Sequence, residues 1–203
     1  MSTISSPQPG TITPLSAIHH LPHCTRETKE QFAQLFSPLE VEKGQLLISP
    51  NQLNTTVYLL SSGMLHQYKK VEGNLQTIRF YVPNNFLGQT GAYYNQLIAD
   101  YVSAITPCTL YASSHRQILQ LCERNPQAIR IIVLLQEQLI KESTELISCL
   151  HLQPAIKRYQ AIQQILGKNI YQIPQQYLAS YLAMSRKHLG RLNYQMLRSK
   201  DPT

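Results

Sequence analysis

The chain has 203 residues, 43% hydrophobic and 14% charged, with eight Gly and twelve Pro, which is globular composition rather than low-complexity or collagen-like. No run approaches the ~20 continuous apolar residues of a membrane span, and the start MSTISSPQPGTITP lacks the basic and apolar regions of a secretory signal, so no membrane role and a cytoplasmic location are expected. The net charge is +7, and all of it lies late in the chain: residues 1–150 hold ten basic and ten acidic side chains, residues 151–203 eight basic ones against Asp201 alone. A neutral unit followed by a basic one suggests an anion-binding module whose usual partner is nucleic acid; a solvated basic tail is the plainer alternative.

In chain order, the Ser/Pro/Thr-rich residues 1–22 read as a flexible arm, followed by a short amphipathic helix around 26–36 with Phe32, Leu35 and Phe36 apolar. Residues 39–113 are β-rich. The runs 45–49, 57–61, 64–71, 75–82, 101–105 and 108–113 carry β-branched and aromatic residues, separated by turn material such as Ser62-Gly63 and Glu72-Gly73-Asn74. Six or more closely spaced strands predict a small antiparallel barrel or sandwich, so residues 23–125 are taken as one β domain.

After Asn125-Pro126 a helical pattern runs to about Leu150 without Gly or Pro. Ile132, Leu135, Leu139 and Leu146 share one face, and Ile129, Val133, Ile140 and Ile147 form a second apolar stripe beside it. A helix apolar on two sides needs two partners. We read 126–150 as a dimerisation helix with its homodimer seam on Ile132, Leu135, Leu139 and Leu146; burial wholly inside one subunit is the alternative.

Residues 154–200 are helical in pattern throughout. One helix opens at Pro154 and ends at Gly167, and another opens after Ile173-Pro174. The stretch from Gln175 to Tyr194 has the spacing of a helix-turn-helix: Ala179 is the small crossing residue, and Leu178, Leu182, Met184, Leu189 and Leu192 take core positions. Ala183 holds the turn, where Gly is more comfortable, and Ser185 caps the second helix. That helix turns Arg186, Lys187, Gly190, Arg191 and Tyr194 outward, the set a major-groove helix requires: Arg grips guanine, Lys reaches guanine or phosphate, and Gly admits close approach. A two-helix hairpin with a solvated basic face is the competing reading.

This order of β-barrel, long helix and C-terminal helix-turn-helix resembles the Crp/Fnr transcription regulators, an α+β architecture whose barrel is a cyclic-nucleotide-binding-like jelly roll. Met184 to Leu192 is similar to that family's recognition-helix pattern, and Val57 to Gly63 resembles its barrel signature. Lys157-Arg158-Tyr159 and Ile173 to Leu182 look closest to the subgroup of Bacteroidetes-type bacteria. The resemblance implies a homodimer on double-stranded DNA, with RNA polymerase as a further partner, and Arg186, Lys187 and Arg191 as the DNA-reading positions; with Ser185, Gly190 and Tyr194 of the same helix they make up the expected DNA-binding set. Lys187 stands where the family commonly has Glu, and the β-hairpin wing usual after the recognition helix is expected to be absent.

The resemblance also places a degenerate effector pocket at Gly88, Gln89, Thr90, Ile98 and Ala99. Members that bind cyclic AMP use a Glu on the ribose and an Arg on the phosphate; here Gln89 and a position near Ile98 replace them. No Arg or Lys occurs from 80 to 115, and Asp100 would repel a phosphate, so cyclic-nucleotide binding through the usual contacts is not expected. No cofactor is predicted and the effector is left unknown. Cys24, Cys108, Cys122 and Cys149 form no CxxC pair and read as small apolar residues. His19, His20, His23 and Cys24 are ligand-rich but sit in or beside the expected arm, and no metal site is assigned. A cupin-like enzyme would need converging histidines, whereas the strand region holds only His66, so no catalytic residue is assigned. A sensor or dimer scaffold that has lost DNA binding, and a cyclic-nucleotide- or haem-responsive regulator, stay as alternative functions.

Overall fold

The computed structural model describes residues 12–88 and 96–198, with side chains to 195 at the C-terminal end. Helix α1 (Pro14–Ile18) and helix α2 (Arg26–Ala33) come first. Residues 12–22 therefore depart from the expected flexible arm. Thr13 caps α1 through its side chain, which accepts from the Ser16 N–H, and Ile18 and Leu21 are buried against Phe32 and Phe36. In a Ser/Thr/Pro-rich stretch the polar residues serve as caps, while two well-placed aliphatic side chains supply the anchoring.

Eight strands follow among the described residues: β1 (Ser37–Val41), β2 (Leu46–Ile48), β3 (Thr56–Ser62), β4 (Leu65–Val71), β5 (Asn74–Tyr81), β6 (Phe86–Leu87), β7 (Tyr101–Ala104) and β8 (Cys108–Ser114). They form two antiparallel four-stranded sheets, ordered β1-β8-β3-β6 and β2-β7-β4-β5. The chain crosses repeatedly from one sheet to the other, a jelly-roll-like path. Among the described residues the sheets do not close into one barrel, so of barrel and sandwich the open two-sheet form is the one present. Val41, Tyr58, Leu60, Leu65, Val102 and Leu110 fill the space between the sheets. The two-residue turn Glu72-Gly73 has positive φ at both positions, the conformation that matches the twist of the hairpin β4–β5. Gly63, at φ +89, is required by space as well: a Cβ there would lie 2.3 Å from the Pro107 carbonyl oxygen.

Five α-helices and one 3-10 segment follow among the described residues. Helix α3 (His115–Arg124) is capped reciprocally by Ser114 and Gln117. The 23-residue α4 (Ala128–Leu150) leads to α5 (Ala155–Leu166), a 3-10 segment (Gly167–Gln172), α6 (Gln175–Tyr181) and α7 (Arg186–Arg198). No helix among the described residues is long and apolar enough to cross a membrane.

The C-terminal helices share a core with the second sheet. Met64, Phe80 and Ile105 pack in one cluster with Tyr159, Ile162, Tyr181, Leu182 and Leu189. The outer edge of β5 is covered by α6: the Thr77 N–H donates to Ser180 Oγ (2.9 Å), and the Ser180 hydroxyl donates to the Leu75 carbonyl (3.2 Å). An edge strand that would otherwise present unpaired amides is thereby satisfied by the helical layer.

Candidate nucleic-acid interface

The basic C-terminal part is built from α6, a four-residue turn and α7. Ala179 is buried where the two helices approach, and Leu178, Leu182, Leu189 and Leu192 are buried around it. The turn closes through the Met184 N–H on the Ala179 carbonyl (3.0 Å), with Ala183 at φ +51. That is the left-handed position expected to suit glycine, and the alanine there carries a modest steric cost. Ser185 begins the next helix: its Oγ accepts from the His188 N–H at 3.1 Å.

These contacts fix which way α7 faces. With Leu189 and Leu192 inward, Ser185, Arg186, Lys187, Gly190, Arg191 and Tyr194 are all exposed. A Cβ on Gly190 would meet nothing within 4 Å, so its small size answers no packing need inside this chain. Residues 151–198 contain no Asp or Glu at all. The outward face of α7 is therefore positive, with no carboxylate in residues 151–198 to neutralise it.

The faces of α4 are distributed differently from the reading by spacing. Leu135 is only 8% exposed, packed in the core that includes Ile18, Phe32 and Val57, with Ile132 half-buried at its edge. Leu139 is half-buried, and Leu146 packs against the C-terminal core. The side left open carries Ile129, Val133, Ile140 (66% exposed) and Ile147. Val133, Ile140 and Ile147 recur every seven residues, the repeat of a two-helix seam. The stripe assigned to the seam thus faces the chain itself, and the stripe beside it is the free one.

At the degenerate effector pocket, Gln89 and Thr90 lie outside the described residues. Gly88 has a structural task. At φ +89 its carbonyl accepts from Asn54 Nδ2 (2.5 Å) and meets His115 Nε2 (3.1 Å), and a Cβ would lie 2.3 Å from the Thr56 carbonyl oxygen. Ile98 packs at the edge of the inter-sheet core and pairs its backbone with Asn51 and Gln52, while Ala99 is exposed. Beside them runs a polar chain that spacing does not reveal. The Tyr81 hydroxyl donates to Gln67 Oε1 (2.6 Å), Gln67 Nε2 donates to Asp100 (2.6 Å), and Lys69 stands 3.4 Å from the same carboxylate. Burial pushes the Tyr81 hydroxyl up to about 12, so it stays a donor. Arg79, next along β5, pairs with Glu142 of α4 and lies over the Tyr81 ring. His19 and His20 are exposed and Cys24 packs at the edge of the α1–α2 core; among the described residues no three His, Cys, Asp or Glu side chains converge on a point that could hold a metal.

The two-sheet unit with α3 is the part with a known counterpart. Residues 38–125 match the cyclic nucleotide-binding domain. Beyond that domain, the fold of most of the chain recurs in solved structures. FixK2 from Bradyrhizobium japonicum superposes with a TM-score of 0.71 at 13% identity, over 81% of this chain and 86% of that one. CLP of Xanthomonas campestris, described as a c-di-GMP responsive global regulator, gives 0.68 at 19% identity over 87% and 93%. The catabolite activator protein of Thermus thermophilus gives 0.53 at 19% identity over 93% and 88%. At these identities the likeness is one of fold. No curated protein matches the chain in sequence.

Proposed function

We propose that this chain is a DNA-binding transcription regulator of the Crp/Fnr type, working in the cytoplasm as a homodimer. The observation that carries the reading is the outward face of α7, where Arg186, Lys187, Gly190 and Arg191 are exposed together on a capped helix in a segment without acids. Arg186 and Arg191 read guanine edges in the major groove, Lys187 contacts guanine or phosphate, and Gly190 lets the backbone approach. The open stripe Ile129, Val133, Ile140 and Ile147 pairs with its equivalent in a second copy, in place of Ile132, Leu135, Leu139 and Leu146. A twofold dimer then meets an inverted repeat whose half-sites lie about 34 Å apart. RNA polymerase is the machinery such a regulator acts on. The two-sheet domain serves as the sensor, through an effector other than cyclic AMP held by the usual Glu and Arg.

The test is base preference. Arg186→Ala and Arg191→Ala each relax discrimination at one position of the site, at about 1–3 kcal/mol. Competition binding against single-base variants of the site measures this. A double variant with unchanged preference would remove both residues from the reading role.

A further inference from the structure

Between the start of α5 and the flank of α7 lies a cavity of about 670 Å³ whose walls include Gln153, Ala155, Arg158, His188, Leu192 and Gln195. Arg158 is 9% exposed, a depth at which an arginine normally has an ion partner. Here Nη1 donates to the Leu152 carbonyl (3.1 Å), Nε is buried without any partner, and no carboxylate of the described residues lies within salt-bridge distance. The domain around it, residues 151–198, has no acid to offer. A guanidinium cannot shed its proton to escape burial. Its charge is stabilised by an anion from outside the described residues or is left uncompensated.

The surroundings suit a particular anion. Helix α5 starts at Pro154 with no side-chain cap, so its first amides, Ala155 and Ile156, keep their hydrogens free at the positive end of a 12-residue helix. Gln153, Gln195 and His188 add polar groups along the rim, and the lining holds no carboxylate. A forked cation next to uncapped amides matches the tetrahedral oxygens of a phosphate. We propose that this cavity is a phosphate site, with Arg158 as the cation that holds it. Two sources share that chemistry: a phosphodiester of the DNA backbone alongside α7, and a small free phosphate. The first source rests on the DNA-binding reading; the site itself does not.

The experiment takes the full chain, Arg158→Met, and Gln153→Glu, an exposed position where a carboxylate on the cavity rim supplies the missing anion without disturbing a buried group. Thermal midpoints are compared in sodium phosphate and sodium chloride at equal pH and ionic strength. Duplex DNA affinity is then followed against salt. Phosphate raises the wild-type midpoint by a few degrees more than it raises that of either variant, since general salting effects act on all three alike. If the DNA backbone is the source, both variants also lower the slope of log affinity against log salt by about one, equally on every sequence. A lost phosphate response with an unchanged slope assigns the site to a small phosphate. A chain that binds no DNA while showing the phosphate response keeps the site and ends the DNA-binding reading. Equal phosphate responses in all three proteins, together with unchanged slopes, would overturn the proposal. Should Arg158→Met fail to fold, Gln153→Glu decides the same question.

Discussion

His66 shows how one buried side chain ties the two-sheet unit to the helices. It is 1% exposed, and its ring is stacked 4.2 Å from Tyr177 of α6, with Tyr68 of its own strand β4 at 4.8 Å and Phe80 of the neighbouring β5 at 5.2 Å. Nε2 stands 3.0 Å from Thr77 Oγ1, and the Thr77 hydroxyl donates to the Tyr177 carbonyl (3.1 Å). The threonine oxygen is therefore an acceptor, so the histidine proton sits on Nε2, and Nδ1 is bare and buried without a partner. Burial lowers the His66 pKa to about 4, below the 6.5 of an unfolded chain. Between those values the unfolded state binds the extra proton, so stability rises with pH across the window and is lost as pH falls from about 6.5 to 4. The full drop is on the order of 3 kcal/mol. Urea unfolding at a series of pH values should show His66→Phe with a flatter profile than the wild type between pH 6.5 and 4; parallel profiles would contradict the assignment. Neither this role nor that of Arg158 is legible in the sequence. A histidine in a strand and an arginine beside a lysine both read as surface residues until the fold places a helix over them.

At the scale of elements, the strands whose residues are apolar and β-branched are readable from pattern, and β2, β3, β4, β5, β7 and β8 match the predicted runs to within one residue at each end. β1 is not, because Pro38 and Glu40 blur its pattern; Pro38 is tolerated since the strand lies at the edge of its sheet, paired to β8 alone. β6 is too short to carry a period. Helix α1 escaped for the same reason, five residues inside a polar stretch. On α4 both apolar stripes are visible, yet spacing cannot say which one meets the chain's own core, since each steps by helical intervals of three, four or seven residues. The structure separates them by burial, and the open stripe sets the prediction. Ile140→Glu places a charge in the middle of the seam and should convert a dimer to monomers without loss of helix content, because the side chain touches little in its own subunit. Analytical ultracentrifugation with far-ultraviolet circular dichroism measures both; an unchanged mass would rule out this face as the contact.

Across the whole molecule, β5 stands at a junction. Its Arg79 reaches Glu142 and Ser143 of α4, and its edge is hydrogen-bonded to α6 through Thr77 and Ser180. One strand of the two-sheet domain therefore touches both the helix proposed to join subunits and the helix that supports α7. The charge division seen in the sequence is spatial too: the basic excess lies on the helical layer, and its outward face is α7. The central claim is that this face reads DNA as one half of a symmetric pair. The most direct measurement is selection of random duplex DNA by the purified protein, followed by salt titration of the enriched sequence. The expected result is an inverted repeat with half-sites one helical turn apart and an affinity that falls steeply as salt rises. Enrichment of no sequence, with only weak binding that is equal on every duplex, would contradict it.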